Sequence, residues 1–117
     1  MKLLNKITLI GFFFCSMLAF GQEPTKWQSN RANAMASQAA EENGLSEEDR
    51  SFVYDLFVNQ VMSNQNNTKG LSAAEKKGVY QKKNKETTAA LVEKFGNKKA
   101  RAIMNSAQNS RKKADAN

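Results

Sequence analysis

Histidine is missing from this sequence, and cysteine occurs once. These two residue types supply the commonest nucleophile–base pairs and the soft ligands of zinc sites. The one cysteine, Cys15, lies in an apolar N-terminal stretch, and the serines have no base partner. The adjacent acids Glu47, Glu48 and Asp49 fit the first turn of a helix, where negative charge is favourable. The sequence therefore predicts no enzyme, no metal site and no cofactor.

Proline also occurs once, at Pro24, and no segment alternates polar and apolar residues with the period of two that indicates a half-buried strand. Capping residues, glycines and helical spacing instead mark four helices. The predicted helices cover residues 22–43, 46–63, 72–95 and 97–113, with a polar loop over 64–70. We expect an all-α fold: a small four-helix, helical-hairpin arrangement in one domain, residues 22–113, followed by a frayed tail, residues 114–117.

The first 21 residues have the composition of a signal peptide. Two lysines begin the segment, residues 7–20 form an uncharged apolar run, and Ala19 and Gly21 are small residues at the positions that a signal peptidase reads. We expect cleavage before Gln22 and a periplasmic protein, and secretion fits the same signal. A retained anchor fits less well, because the run is short of the ~20 residues of a span. A lipoprotein fits poorly, since three phenylalanines precede the cysteine.

Charge is divided unevenly between the two halves of the remaining chain. Residues 22–63 hold three basic and seven acidic side chains, a net charge of −4, whereas residues 64–117 hold thirteen basic and four acidic ones, a net charge of +9. Such an asymmetry favours antiparallel docking of the two halves, or it leaves a basic face for an acidic partner.

The second predicted helix carries the densest group of large apolar side chains outside the leader. They are Phe52, Val53, Tyr54, Leu56, Phe57, Val58, Val61 and Met62. On a helix, only Ser51, Asp55 and Asn59 form a coherent polar arc. We expect such a helix to need cover on nearly all sides, from its own chain or from a second copy. The thin core of the whole chain favours the second copy, and the sequence therefore predicts a homodimer.

Part of the sequence recurs at an offset of 26 residues. Gly44-Leu45-Ser46 recurs as Gly70-Leu71-Ser72, and Val53-Tyr54 recurs as Val79-Tyr80. A period of this size indicates two copies of one helical unit. Shared use of the capping pattern S-x-x-[DE] is the alternative interpretation.

A run of lysines on the third predicted helix is the surface feature with functional potential. Lysines there can form a positive patch for anionic partners, or they can simply keep the helix solvated. Nucleic acid is disfavoured by the export signal. We expect Trp27 to be a packing anchor. The predicted partner-binding residues are Lys76, Lys77, Lys82, Lys83, Lys85, Tyr54, Val58 and Met62.

Two short motifs resemble the LTxxQ motif of the Spy and CpxP family of periplasmic helical stress proteins. The matching positions are Leu45, Ser46 and Asp49, then Leu71, Ser72 and Glu75. Serine stands in place of threonine, and an acid stands in place of glutamine. The resemblance implies an all-α chain that dimerises into a positively charged cradle. It also implies ATP-independent chaperone action or modulation of envelope stress.

The sequence thus favours an exported helical binding protein that holds unfolded or acidic polypeptides through a basic and apolar surface. The alternative is an envelope protein that docks on an anionic surface or on a single protein partner. Neither alternative involves nucleic acid, and neither requires a membrane-spanning segment once the leader is removed.

Overall fold

The computed structural model describes residues 23–116, and it describes side chains as far as residue 113. Within this range the chain forms four α-helices and no strand: α1 (Lys26–Asn43), α2 (Glu47–Asn66), α3 (Ala73–Phe95) and α4 (Asn97–Ala116). The predicted all-α fold class is therefore confirmed. The predicted signal peptide, residues 1–21, lies outside the described residues.

Three of the four helices begin at a hydroxyl side chain that accepts a hydrogen bond from the backbone. Thr25, Ser46 and Ser72 are these N-cap residues, and all three have extended backbone angles. At Ser72 the bond is reciprocal, because the Glu75 carboxylate accepts from the Ser72 backbone N–H at 3.2 Å. Thr25 and Gln28 form the same capping box, which shifts the start of α1 from the expected residue 22 to residue 26.

Short connections make consecutive helices antiparallel neighbours. Gly44 ends α1 in the left-handed conformation, with φ at 61°, and Gly96 alone separates α3 from α4. α1 packs against α2 and α4, and α3 packs less extensively against the same two helices. The start of α1, the end of α2, the start of α3 and the end of α4 consequently meet at one end of the bundle.

The largest fully buried side chains come from three helices, whereas α1 contributes mainly alanines to the core. Phe57 and Val53 of α2, Leu91 of α3 and Ile103 of α4 are fully buried. α1 contributes alanines at positions 32, 36 and 39, which allow close helix–helix approach. On α4, the four residues at the i, i+3, i+4, i+7 spacing of one helix face are all buried: Ala100, Ile103, Met104 and Ala107.

The chain covers α2 without help from a second copy. Val53, Leu56, Phe57 and Val61 are buried, and the other large apolar residues on this helix are half-buried. The expectation that α2 exposes more apolar surface than one chain can hide is therefore wrong. α1 and α3 pack against this helix, so the coverage of α2 gives no argument for a homodimer.

The two halves of α3 differ in how they pack. Thr87 and Leu91 are the buried residues of this helix, and both lie in its C-terminal half. Tyr80 shares their face, seven residues before Thr87 and eleven before Leu91, close to two and three helical turns. Tyr80 is nevertheless exposed, because the neighbouring helices leave a gap at this end of the bundle. That gap is the candidate functional site.

Candidate binding cleft

An open cleft of about 270 Å³ lies where the four helices meet at the Tyr80 end of the bundle. Trp27 and Met35 of α1 form one wall, and Tyr80 of α3 forms another. The remainder of the lining comes from the end of α2, the loop that follows it, and α4. The residues around the cleft are Trp27, Arg31, Met35, Gln60, Val61, Asn64, Gln65, Thr68, Tyr80 and Arg111. We refer to this feature as the Trp27–Tyr80 cleft.

The cleft brings together two exposed aromatic side chains. Trp27 is 53% exposed and Tyr80 is 45% exposed, and no other large hydrophobic side chain of the described part of the chain is exposed. The expectation that Trp27 is a packing anchor is therefore wrong. At 100° per residue, Trp27 lies roughly a third of a turn from the buried stripe of α1, which explains why its ring faces solvent.

Two arginines give the cleft a positive charge. The guanidinium of Arg31 lies over the ring of Trp27, with its Cζ atom 5.4 Å from the ring centroid. Arg111 reaches the cleft from the C-terminal part of α4 and is exposed. None of the described acidic side chains lines the cleft.

The floor of the cleft is rich in amides. Gln60 is only 5% exposed, and Thr68 is also buried. The side-chain oxygens of Gln60 and Asn64 are covered but accept no hydrogen bond from the chain. Their neighbour Gln65 is engaged, because its side-chain oxygen accepts from the Gln28 amide. Buried acceptors without partners are uncommon in folded proteins, and they often indicate a functional role or a missing partner.

The structure divides the five predicted lysines between two sides of α3. Lys76 and Lys83 are half-buried, and they border Tyr80 at four residues before it and three after it. Lys77, three residues before Tyr80, is exposed on the same side. Lys82 and Lys85 are exposed. The helical rotation of 100° per residue places both on the outer side of α3, away from Tyr80. Lys83 also forms an ion pair with Glu86, with a nitrogen–oxygen distance of 3.5 Å.

The three predicted apolar binding residues lie on α2 but do not line the cleft. Tyr54, Val58 and Met62 are half-buried, and Tyr54 and Val58 pack against the core. The cleft therefore does not include them.

The motif positions lie at helix starts. Ser46 and Ser72 accept from the backbone N–H groups of Asp49 and Glu75, at 3.1 and 3.2 Å. The Glu75 carboxylate also accepts from the Ser72 hydroxyl, and these bonds lower the pKa of Glu75 below its ordinary value. Leu45 packs against the core, and Leu71 is half-buried. Each motif thus forms a helix cap in this structure.

Sequence reasoning missed Arg31, Gln60 and Arg111, and it assigned Trp27 a different role. One signal was present: Trp27 and Arg31 are four residues apart, the spacing that places two side chains on one helix face. Gln60 and Arg111 carried no such signal, since only the packing of α2 and α4 brings them to the cleft.

The described residues contain no group of three or more acidic side chains placed to hold a metal ion. Over the same range, no helix is both long and apolar enough to cross a membrane. Comparisons with protein-family models, with characterised proteins and with solved structures find no match to this chain.

Proposed function

We propose that this chain is an exported helical binding protein of the chaperone or envelope-stress type. It holds unfolded or acidic polypeptides at the Trp27–Tyr80 cleft and on the adjoining lysines of α3. One observation carries the proposal: the two exposed aromatic side chains of the described bundle line the same cleft as two arginines. An aromatic surface beside positive charge suits weak contacts with both apolar and acidic segments of a client.

The sequence supports a binding role over a catalytic one, because it contains no histidine and its one cysteine lies in the predicted leader. Residues 1–21 support a periplasmic location, with export by a signal peptide. The resemblance to the Spy and CpxP family agrees with an ATP-independent activity. The binding role, the periplasmic location and the ATP-independent activity belong to the proposal together with the cleft.

The lysines that border Tyr80 attract acidic segments towards the cleft. Attraction between exposed charges is screened within about 10 Å at 0.1 M salt. We therefore expect client binding to weaken as the salt concentration rises. The lysines on the outer side of α3 lie farther from the aromatic side chains and should contribute less.

Suppression of aggregation by light scattering tests the proposal. An acidic model client is diluted from denaturant at low salt, with and without a slight molar excess of the mature chain. We expect suppression from the wild type and weaker suppression from the double variant Lys76→Gln and Lys77→Gln. The matched control, Lys82→Gln and Lys85→Gln, removes the same charge from the outer side of the same helix. An absence of suppression by the wild type at low salt would refute the proposal.

A second candidate function is docking on an anionic envelope surface, which the exposed outer lysines Lys82 and Lys85 favour. It predicts co-sedimentation with vesicles that contain anionic lipid, loss of that binding at high salt, and a larger effect of the outer-side variant than of the cleft-side one. Equal binding to neutral vesicles would contradict it.

A homodimer is a separate part of the proposal, drawn from the family resemblance. Sedimentation equilibrium of the mature chain measures it directly. If a dimer forms and the double variant Trp27→Ala and Tyr80→Ala abolishes it, the second copy occupies the cleft. A dimer that survives this change uses another face and leaves the cleft open to clients.

A further inference from the structure

We propose that Asn43-Gly44, at the end of α1, is a latent deamidation site. The folded bundle keeps it unreactive, and it converts when the contact between α1 and α4 opens. Conversion then prevents that contact from forming again. The site lies at the end of the bundle opposite the Trp27–Tyr80 cleft, so the proposal is independent of the proposed function.

Asn43 is the one asparagine of the sequence that is followed by glycine. In deamidation, the backbone nitrogen of Gly44 loses its proton and attacks Cγ of Asn43. The nitrogen–carbon bond forms, the bond between Cγ and Nδ2 breaks, and ammonia leaves after its nitrogen takes up a proton from solvent. Water then opens the cyclic imide to an aspartate or an isoaspartate. Glycine hinders this attack least, because it has no Cβ.

The attacking nitrogen is held by the backbone hydrogen bonds that end α1. The N–H groups of Gly44 and Leu45 both donate to the Ala40 carbonyl oxygen, and Gly44 has a φ of 61°. A left-handed glycine with such bonds is a common way to close the last turn of a helix. The bond from Gly44 has to break before its nitrogen can lose the proton, so reaction requires the last turn of α1 to open.

The leaving group is held as well. Asn43 Nδ2 donates to the Ala39 carbonyl oxygen at 2.9 Å and to Ser106 Oγ at 3.1 Å. Ser106 belongs to α4 and is buried, and its hydroxyl lies 2.7 Å from the Glu42 carboxylate. Two bonds from one amide restrict the rotation of the Asn43 side chain, and the second of them joins α1 to α4. Reaction therefore requires local opening of a contact between two helices.

Conversion removes the interactions that hold this contact closed. A carboxylate at position 43 has no hydrogen to donate, so the Ala39 carbonyl oxygen and Ser106 Oγ both lose a donor. It also adds a negative charge next to Glu42 at the C-terminus of α1, where the helix dipole makes negative charge unfavourable. An isoaspartate further lengthens the backbone by one carbon directly before the left-handed Gly44. Each change opposes closure, so a converted chain retains a record that the contact has opened.

Peptide mapping by mass spectrometry tests whether the fold controls the reaction. The mature chain is incubated at mildly alkaline pH, either folded in buffer or unfolded in guanidinium chloride, and the converted fraction of Asn43 is followed with time. We expect conversion to be at least roughly tenfold slower in the folded chain. Ser106→Ala removes one acceptor of the Asn43 amide and should speed conversion of the folded chain roughly two- to tenfold, as for the loss of one hydrogen bond. Ser110→Ala on the same helix is the control and should leave the rate unchanged. Equal rates in the folded and unfolded chains, or equal rates in the two serine variants, would overturn the proposal.

The variant Asn43→Asp tests whether conversion breaks the contact, because it carries the charge of a converted chain without the altered backbone. We expect Asn43→Asp to lower the Tm measured by circular dichroism. Asn105→Asp adds the same charge at an exposed position of α4 and should not lower it. Complete loss of the folded state in Asn43→Asp would support the proposal in the same way as a lower Tm. An Asn43→Asp chain with the Tm of the wild type would overturn the claim that conversion keeps the contact open.

Discussion

Arg31 lies over the indole ring of Trp27, with its Cζ atom 5.4 Å from the ring centroid. The two residues are one helical turn apart at the start of α1. Their contact holds an exposed ring at the edge of the cleft, and it places a positive charge beside that ring. The pair thus combines the two chemical properties that the cleft offers to a partner.

Replacing Arg31 by glutamine should loosen the tryptophan ring without unfolding the protein. A cation–π contact at an exposed site contributes about 0.5–1 kcal/mol, and the loss of this contact should lower the free energy of unfolding by about that amount. The fluorescence anisotropy of Trp27 should fall as its ring becomes more mobile. Arg101→Gln is the matched control and should alter neither quantity. Unchanged anisotropy in Arg31→Gln would contradict the role given to this contact.

Leu91 should matter more to the fold than any other side chain of α3. It is the one large side chain of this helix that is fully buried. Leu91→Ala should therefore lower the free energy of unfolding by about 2–5 kcal/mol. Amide hydrogen exchange in α3 should accelerate more than exchange in α1. Urea unfolding and exchange measurements test this prediction.

Tyr80→Ala is the control on the same helix, since an exposed side chain should change stability by only about 0.5 kcal/mol. If the two alanine variants were equally destabilised, the gap between the helices at Tyr80 would not exist in solution.

The motif serines should behave as helix caps. Ser46→Ala and Ser72→Ala should each lower the free energy of unfolding by about 0.5–2 kcal/mol. The loss should be larger at Ser72, because that residue also donates to the Glu75 carboxylate. Client binding should change only in proportion to the loss of folded protein. A variant that keeps full stability but loses client binding would give these positions a direct functional role.

Stability should depend on pH through the contact between α1 and α4. Ser106 Oγ donates to the Glu42 carboxylate at 2.7 Å, and this bond, with a second one from Gln38, holds the pKa of Glu42 below its ordinary value of 4.5. The folded protein therefore binds this proton less readily than the unfolded chain. The contribution to stability is complete above about pH 4.5 and is lost as the pH falls through the lower pKa of the folded state.

Ser106→Ala should flatten the fall in stability between neutral and acidic pH, as measured by urea unfolding at a series of pH values. Ser110→Ala on the same helix is the control. Asp55 has the opposite effect on the pH dependence of stability, because partial burial raises the pKa of its carboxyl group. If the free energy of unfolding fell in parallel with pH in the wild type and in Ser106→Ala, the role given to the hydrogen bond between Ser106 and Glu42 would be contradicted.

The parts of the fold that could be predicted from the sequence are those set by local interactions. The spacing of Ile103 and Met104 within α4 determines which face is buried, and a glycine after each of α1 and α3 marks where the helix ends. Ser46 and Ser72 were recognisable because an N-cap involves residues only three positions apart. These features require no knowledge of how the helices pack.

The cleft could not be predicted because it depends on contacts between distant segments. Tyr80 shares the face of Leu91, and its sequence pattern predicts a packed residue. It is exposed because α1, α2 and α4 do not close over that end of the bundle. Likewise, Gln60 lies in an apolar helix and reaches the cleft only through the pairing of α2 with α1. The coverage of α2 was missed for the same reason, since its neighbours come from the whole chain.

The most direct test of the central claim is a titration of the mature chain with an unfolded, acidic polypeptide that contains no tryptophan, followed by the emission of Trp27 at low salt. If clients are held at the Trp27–Tyr80 cleft, the emission changes saturably, and the change is strongly reduced in Tyr80→Ala and in Arg111→Gln but kept in Arg101→Gln. If the emission does not change while the chain still suppresses aggregation of the same polypeptide, clients bind outside the cleft and the central claim is wrong.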